Sequence, residues 1–211
     1  MRVGILGSGD VGQALAAGFS QHGHAVTIGT RSPAKLAAFA SHHKGVRVGS
    51  FRDASKAGEI VVLAVKGSAA ADALRDADED NIEGKIVIDT TNPISDAPPK
   101  NGVLDYFTAE ESLMERLQRE FSGARFVKAF SCVGSALMVH PKLAGGPPTM
   151  FICGNDADAK KTVTGILDQF GWDVEDMGAV EAARAIEPLA VLWCIPGFLR
   201  NDWMHAFKML R

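Results

Sequence analysis

The chain has 211 residues, 46% of them hydrophobic and 22% charged, with a formal net charge of −3; this suits one sizeable core, and with no block of like charges it argues against a nucleic-acid partner. Its cysteines, Cys132, Cys153 and Cys194, have no CxxC spacing and the histidines no metal-ligand spacing, so no metal is expected and the thiols read as free and buried in a reducing compartment. With no signal peptide and with Pro196 and Gly197 breaking the apolar segment Pro188 to Phe198, the expectation is a cytoplasmic protein without a membrane span.

The first run, Arg2 to Leu6, reads as a strand. It leads into Gly7-Ser8-Gly9-Asp10-Val11-Gly12, then into a stretch whose Val11, Ala14, Leu15, Gly18 and Phe19 form one apolar helical face. Between a strand and a helix the three glycines have separate tasks. Gly7 makes the tight turn, Gly9 lets backbone approach a pyrophosphate, and Gly12 lets the helix pack on the strand. The pyrophosphate then meets the N–H groups of a helix N-terminus. The competing reading is a Gly-rich turn without a ligand.

The second strand, Ala25 to Gly29, ends at Thr30-Arg31, with Lys35 close behind. Roughly 20 residues after such a loop an Asp or Glu ordinarily accepts from the adenine ribose of NAD. No acidic residue occurs between Asp10 and Asp53. A hydroxyl, a guanidinium and an ammonium suit a 2′-phosphate instead, so NADP is favoured over NAD. The alternative leaves Arg31 and Lys35 as solvated surface cations.

Further strands are expected at Val46 to Val48, Glu59 to Val65, Lys85 to Asp89, Arg125 to Phe130, Met150 to Cys153 and Asp173 to Met177. Their alternation with amphipathic stretches, such as the one carrying Ala159, Val163, Ile166, Leu167 and Phe170, predicts a Rossmann-type, doubly wound α/β fold with a mostly parallel sheet. Ligands bind beyond the carboxyl ends of such strands. The candidate loops are therefore Val65-Lys66-Gly67-Ser68, Thr90-Thr91-Asn92-Pro93 and Ala129 to Ser135, which includes Ser131. Lys66 can donate to a phosphate, act as an acid, or stay solvated. Asn92 can bond ribose or nicotinamide, or serve as turn chemistry before Pro93. Cys132 has no base beside it in sequence and reads as inert. Pro98-Pro99-Lys100-Asn101-Gly102 and Gly145-Gly146-Pro147-Pro148 read as loops.

Residues 1–178 are read as the dinucleotide-binding unit and 179–211 as a short helical C-terminal extension of the same body. The extension holds Trp193, Phe198, Trp203 and Phe207. These rings either seal a core or homodimer interface, or stack on a planar acceptor.

The stretches GSGDVGQALAAG, GHAVTIGTRSPAK, IVIDTTNP, FVKAFSCVGS, FICGNDADAKK and DMG together resemble the NADPH-dependent coenzyme F420 reductases and the NADPH-binding domains of the STEAP metalloreductases. The resemblance implies Ser8 to Val11 at the pyrophosphate, Thr30, Arg31 and Lys35 at the 2′-phosphate, and Val65, Asn92 and Ser135 toward ribose and nicotinamide. It also implies a homodimer and direct hydride transfer to a small-molecule flavin (FMN or FAD) or deazaflavin (F420) acceptor, for which no dedicated proton donor is needed. Departures lie on the acceptor side: Ser131 stands where family members carry His or Asn, Ala185 and Glu187 replace Ser and Thr, and Lys66-Gly67-Ser68-Ala69 replaces a Pro-Trp-Glu-His-like loop. Two alternatives remain open: reduction of a small carbonyl or imine with Lys66 or water as proton source, and an NADPH-sensing module without catalysis.

Overall fold

Strands that are apolar at every position need cover on both faces. The structure, a computed structural model, describes residues 1–107 and 110–211. In chain order its elements are β1 (Arg2–Leu6), α1 (Asp10–Gln21), β2 (Ala25–Gly29), α2 (Ala37–His42), β3 (Val46–Gly49), α3 (Phe51–Ala57), β4 (Ile60–Leu63), α4 (Ala70–Asp76), α5 (Glu79–Ile82) and β5 (Ile86–Asp89). Then follow α6 (Leu113–Glu120), β6 (Arg125–Lys128), β7 (Thr149–Ile152), α7 (Ala157–Gln169), β8 (Asp173–Asp176), α8 (Ala183–Ile186) and α9 (Leu189–Arg200).

The first six strands pair in parallel in the order β3-β2-β1-β4-β5-β6. Alternation along them splits the core in two. Val3 and Ile5 of β1 with Ile60 and Val62 of β4 face Leu15 and Phe19 of α1 and Phe170 at the end of α7. Leu6, Val61 and Leu63 point the other way, toward Leu74 of α4 and Leu117 of α6. Two helices start at Ser N-caps in capping boxes, Ser50 with Asp53 for α3 and Ser112 with Glu115 for α6.

The expected strand ending at Phe130 stops at Lys128, because Phe130 takes a left-handed φ of 61° and turns the chain away. The last two strands form their own parallel pair, β7-β8, joined to β6 by one antiparallel bridge, Lys128 to Cys153. The proline-rich stretch read as a plain loop is the tip of an antiparallel arm. Ile94 bridges Tyr106, Lys100 bridges Val103, and Phe107 N–H donates to the Pro93 carbonyl at 2.8 Å.

The C-terminal extension is helical only as far as Arg200. Asn201 ends α9 with a φ of 55°, and the remaining residues run back without regular structure along β7, where Thr149 N–H donates to the Phe207 carbonyl. The helical run Val180–Arg200 has 21 residues and a mean hydropathy of 1.4 in its most apolar window, which meets the length and composition of a membrane span. The segment Pro188 to Phe198 lies within this run, and the break expected at Pro196 does not occur, because Pro196 is accommodated inside α9. Within the run Arg184 pairs with Glu115 and Glu187 with Lys128, so it is tied to the rest of the fold.

Candidate functional site

The strand order reverses beside β1, and a cleft of about 850 Å³ opens at the carboxyl ends of β1, β2, β4 and β5. Its floor is the glycine loop. Gly7 adopts a φ of +133°, and a Cβ there would sit 2.0 Å from the Ala64 carbonyl oxygen. A Cβ on Gly12 would lie 2.1 Å from the Gly7 oxygen, so α1 can pack on its own turn only through glycine. Gly9, the N-cap of α1, is different. A Cβ there would meet nothing within 4 Å, which leaves the backbone open to a ligand at the helix N-terminus.

Thr30 is buried, and its hydroxyl lies 2.9 Å from Ser8 Oγ and accepts from Ser32 N–H at 3.0 Å. It braces the glycine loop against the end of β2. Arg31, Ser32 and Lys35 stand exposed at this end of the cleft. The opposite wall holds Val65, Lys66, Thr90, Thr91, Asn92 and, from the arm, Ile94, Ser95 and Asp96. Lys66 Nζ and Asp96 Oδ1 are 3.0 Å apart, both exposed.

Of the residues singled out in sequence, Gly7, Ser8, Gly9, Asp10, Val11, Thr30, Arg31, Lys35, Val65, Lys66 and Asn92 line this cleft. Gly12 lies beneath it as a packing residue. Pro93, Ser131 and Ser135 do not line it, and each has a physical reason. Pro93 is buried at the root of the arm, where its carbonyl holds Phe107. The turn at Phe130 leaves Ser131 buried, with its carbonyl taken by Asn92 Nδ2 at 2.6 Å. Ser135 starts a 3-10 turn, Ser135–Leu137, packed near α1. Asn92 Oδ1 and Ser131 Oγ are nonetheless buried without a hydrogen-bond partner among the described residues. Of the two, Asn92 belongs to the lining, and its orphaned oxygen fits a ligand group that brings its own donor.

Behind Thr91 lies a network that sequence reading passed over. Lys128 is fully buried, with Nζ 2.7 Å from Asp89 Oδ2, 2.8 Å from Glu187 Oε1 and donating to the Thr91 carbonyl at 2.8 Å. Asp89 Oδ1 accepts from Thr91 N–H and Oγ, and Glu187 accepts from Leu113 N–H and Met114 N–H at the start of α6. The two carboxylates hold the Lys128 ammonium charged against the cost of burial, and its pKa lies above the usual lysine value. Burial pushes the Cys132 thiol up to about 12, in keeping with an inert residue; Cys194 is only half-buried.

A parallel sheet of this order, with a glycine loop at its switch point and a cleft above it, defines a dinucleotide-binding Rossmann protein. Residues 2–93 match the family described as NADP oxidoreductase, coenzyme F420-dependent. A chain from Arthrobacter sp. FB24, provisionally described as an F420-dependent NADP-reductase, is 35% identical, with a TM-score of 0.93 and 100% of both chains covered. The F420-dependent NADP reductase of Methanocaldococcus jannaschii is 27% identical, over 91% of this chain and 90% of its own. The metalloreductase STEAP3 of Rattus norvegicus is 30% identical over 94% of this chain, which spans only 39% of that protein. This chain belongs to the coenzyme F420-dependent NADP oxidoreductase family.

Proposed function

We propose that the protein binds NADP(H) in the cleft and moves a hydride between it and a flavin or deazaflavin ring, with F420 itself or FMN or FAD as the acceptor class. The observation that carries the reading is the distribution of charge along the cleft. Arg31 and Lys35 gather at the end of β2, where an NAD site carries a carboxylate. The other titratable groups on the lining, Asp10, Lys66 and Asp96, are exposed, and the buried Asp89 behind it is committed to Lys128 and Thr91. No buried acid or base is left on the described lining to protonate a carbonyl or imine, and a hydride passed between two stacked rings needs none.

The nicotinamide, when bound, supplies or takes the hydride; this chain's residues bind and orient. The Ser8 to Val11 backbone at the α1 N-terminus would hold the pyrophosphate, and Arg31, Ser32 and Lys35 the 2′-phosphate. Asn92, with its unpaired Oδ1 and its bond to the Ser131 carbonyl, would orient the nicotinamide end. The relative from M. jannaschii supports the acceptor class by its described activity. The test is NADPH oxidation by the purified protein against a panel of acceptors. F420, FMN or FAD should be reduced faster than aldehydes, ketones or imines. Faster turnover of a small carbonyl or imine, abolished in Lys66→Ala, would replace this reading with a proton-donating reductase.

A further inference from the structure

We infer that Lys66 is the docking cation for a negatively charged tail on the hydride acceptor, with Asp96 as its resident counter-ion. The inference rests on the flavin or deazaflavin reading. An NADPH molecule brings two kinds of anionic group, and the cleft has a place for each: the 2′-phosphate beside Arg31 and Lys35, and the pyrophosphate at the open Gly9 backbone. Among the described residues lining the cleft, Lys66 is the cation outside that end, and neither place includes it.

Its backbone is fixed. Gly67 packs so closely on the loop after β5 that a Cβ there would lie 2.0 Å from the Asn92 carbonyl oxygen, and the Lys66 carbonyl accepts from Ala69 N–H at 2.9 Å. The side chain is not: it is 80% exposed and pairs, among the described residues, with Asp96, itself 73% exposed and carried by the arm. An exposed pair of this kind holds weakly in water, so a doubly charged phosphate can displace the Asp96 carboxylate. A lysine suits that exchange, being a flexible point charge whose donors rotate to a tail of variable position. The acceptor class is then narrowed to rings with an anionic substituent: a riboflavin 5′-phosphate, or a deazaflavin with a phosphodiester or carboxylate chain. Asp96 makes the site selective, because a neutral tail gains nothing from breaking the pair.

The experiment titrates FMN and riboflavin, which differ only in the phosphate, onto protein saturated with NADP⁺, with quenching of flavin fluorescence as the readout. Wild type should bind FMN tighter than riboflavin by about three- to tenfold at low salt, and less so at high salt. Lys66→Ala and the milder Lys66→Gln should erase that ratio by weakening FMN alone, while Asp96→Asn should widen it. Equal binding of FMN and riboflavin by wild type overturns the inference and leaves the acceptor reading standing. A Lys66→Ala protein that weakens NADPH and preserves the flavin ratio also overturns it, and assigns Lys66 to the dinucleotide. Binding of NADPH but of neither flavin, nor of F420, removes the acceptor reading itself and the inference with it.

Discussion

At the scale of single residues the cleft separates groups that build it from groups that would meet a ligand, and substitutions should separate them too. Gly12→Ala pushes a Cβ to 2.1 Å from the Gly7 oxygen, while Gly9→Ala enters open space. Gly12→Ala should therefore cost about 1–3 kcal/mol of stability through overpacking. Gly9→Ala should leave the thermal midpoint unchanged and weaken NADPH binding, as paired melting and titration curves would report. Arg31→Ala should weaken NADPH by roughly tenfold or more and leave NADH nearly unaffected, since only NADPH carries the phosphate that the guanidinium can bind; equal losses for the two nucleotides would make Arg31 a solvated surface cation. Thr30 belongs to the builders, because its buried hydroxyl is already engaged by Ser8 and Ser32. The placement of the glycine loop and Arg31 at the cleft was legible in sequence because it follows from a local strand, turn and helix. Ser131 and Ser135 were not, because their placement depends on the left-handed turn at Phe130, which no local pattern announces.

At the scale of elements, apolar runs marked the strands, and proline content hid the arm from Ile94 to Tyr106, whose pairing rests on backbone bonds around a turn. The Lys128 network was hidden for another reason. FVKAF reads as part of a strand, and only the fold brings Asp89 and Glu187 to its lysine from distant positions. Removing it should be severe. Lys128→Met strands two buried carboxylates and should cost about 3–5 kcal/mol, measured by urea unfolding. A second junction is sensitive to acid. Hydrogen bonds from Arg184 hold the Glu115 carboxyl down to about 2, while the same group also caps α6 through Ser112. A carboxyl whose folded pKa lies below its unfolded value contributes stability above the unfolded value, near 4.5, and loses it as pH falls toward 2. Wild type should therefore lose stability relative to Glu115→Gln across that window and converge with it at the bottom. A constant difference between the two from pH 5 downward would show that the carboxyl titrates alike in folded and unfolded chains.

At the scale of the whole molecule, α9 is apolar on more sides than the fold covers. Ala190, Trp193 and Gly197 face inward, and Trp193 stacks on His205 of the returning tail. Leu192 and Leu199, one heptad apart, are 55% and 57% exposed, and Val103 and Phe107 of the arm are exposed as well. Gly102 at the arm's tip packs against Leu199, which makes the arm and the helix one continuous surface. We expect a second copy of the chain to cover this face. A stripe without charge between Glu187 and Arg200 is self-complementary under a two-fold axis, where Leu192 of one helix can meet Leu199 of the other. A stable interface needs roughly 800 Å² from each partner, more than one short helix presents, so the arm should be buried with it. We therefore expect a homodimer at micromolar concentration, and Leu192→Lys with Leu199→Lys should yield a monomer by sedimentation that still binds NADPH, because neither residue lines the cleft. The run Val180–Arg200 also meets the length and composition of a membrane span, so the same protein should be tested against anionic lipid vesicles. Wild type that sediments as a monomer, and floats with vesicles until Leu192 and Leu199 are replaced, would assign this face to a membrane surface and remove the dimer.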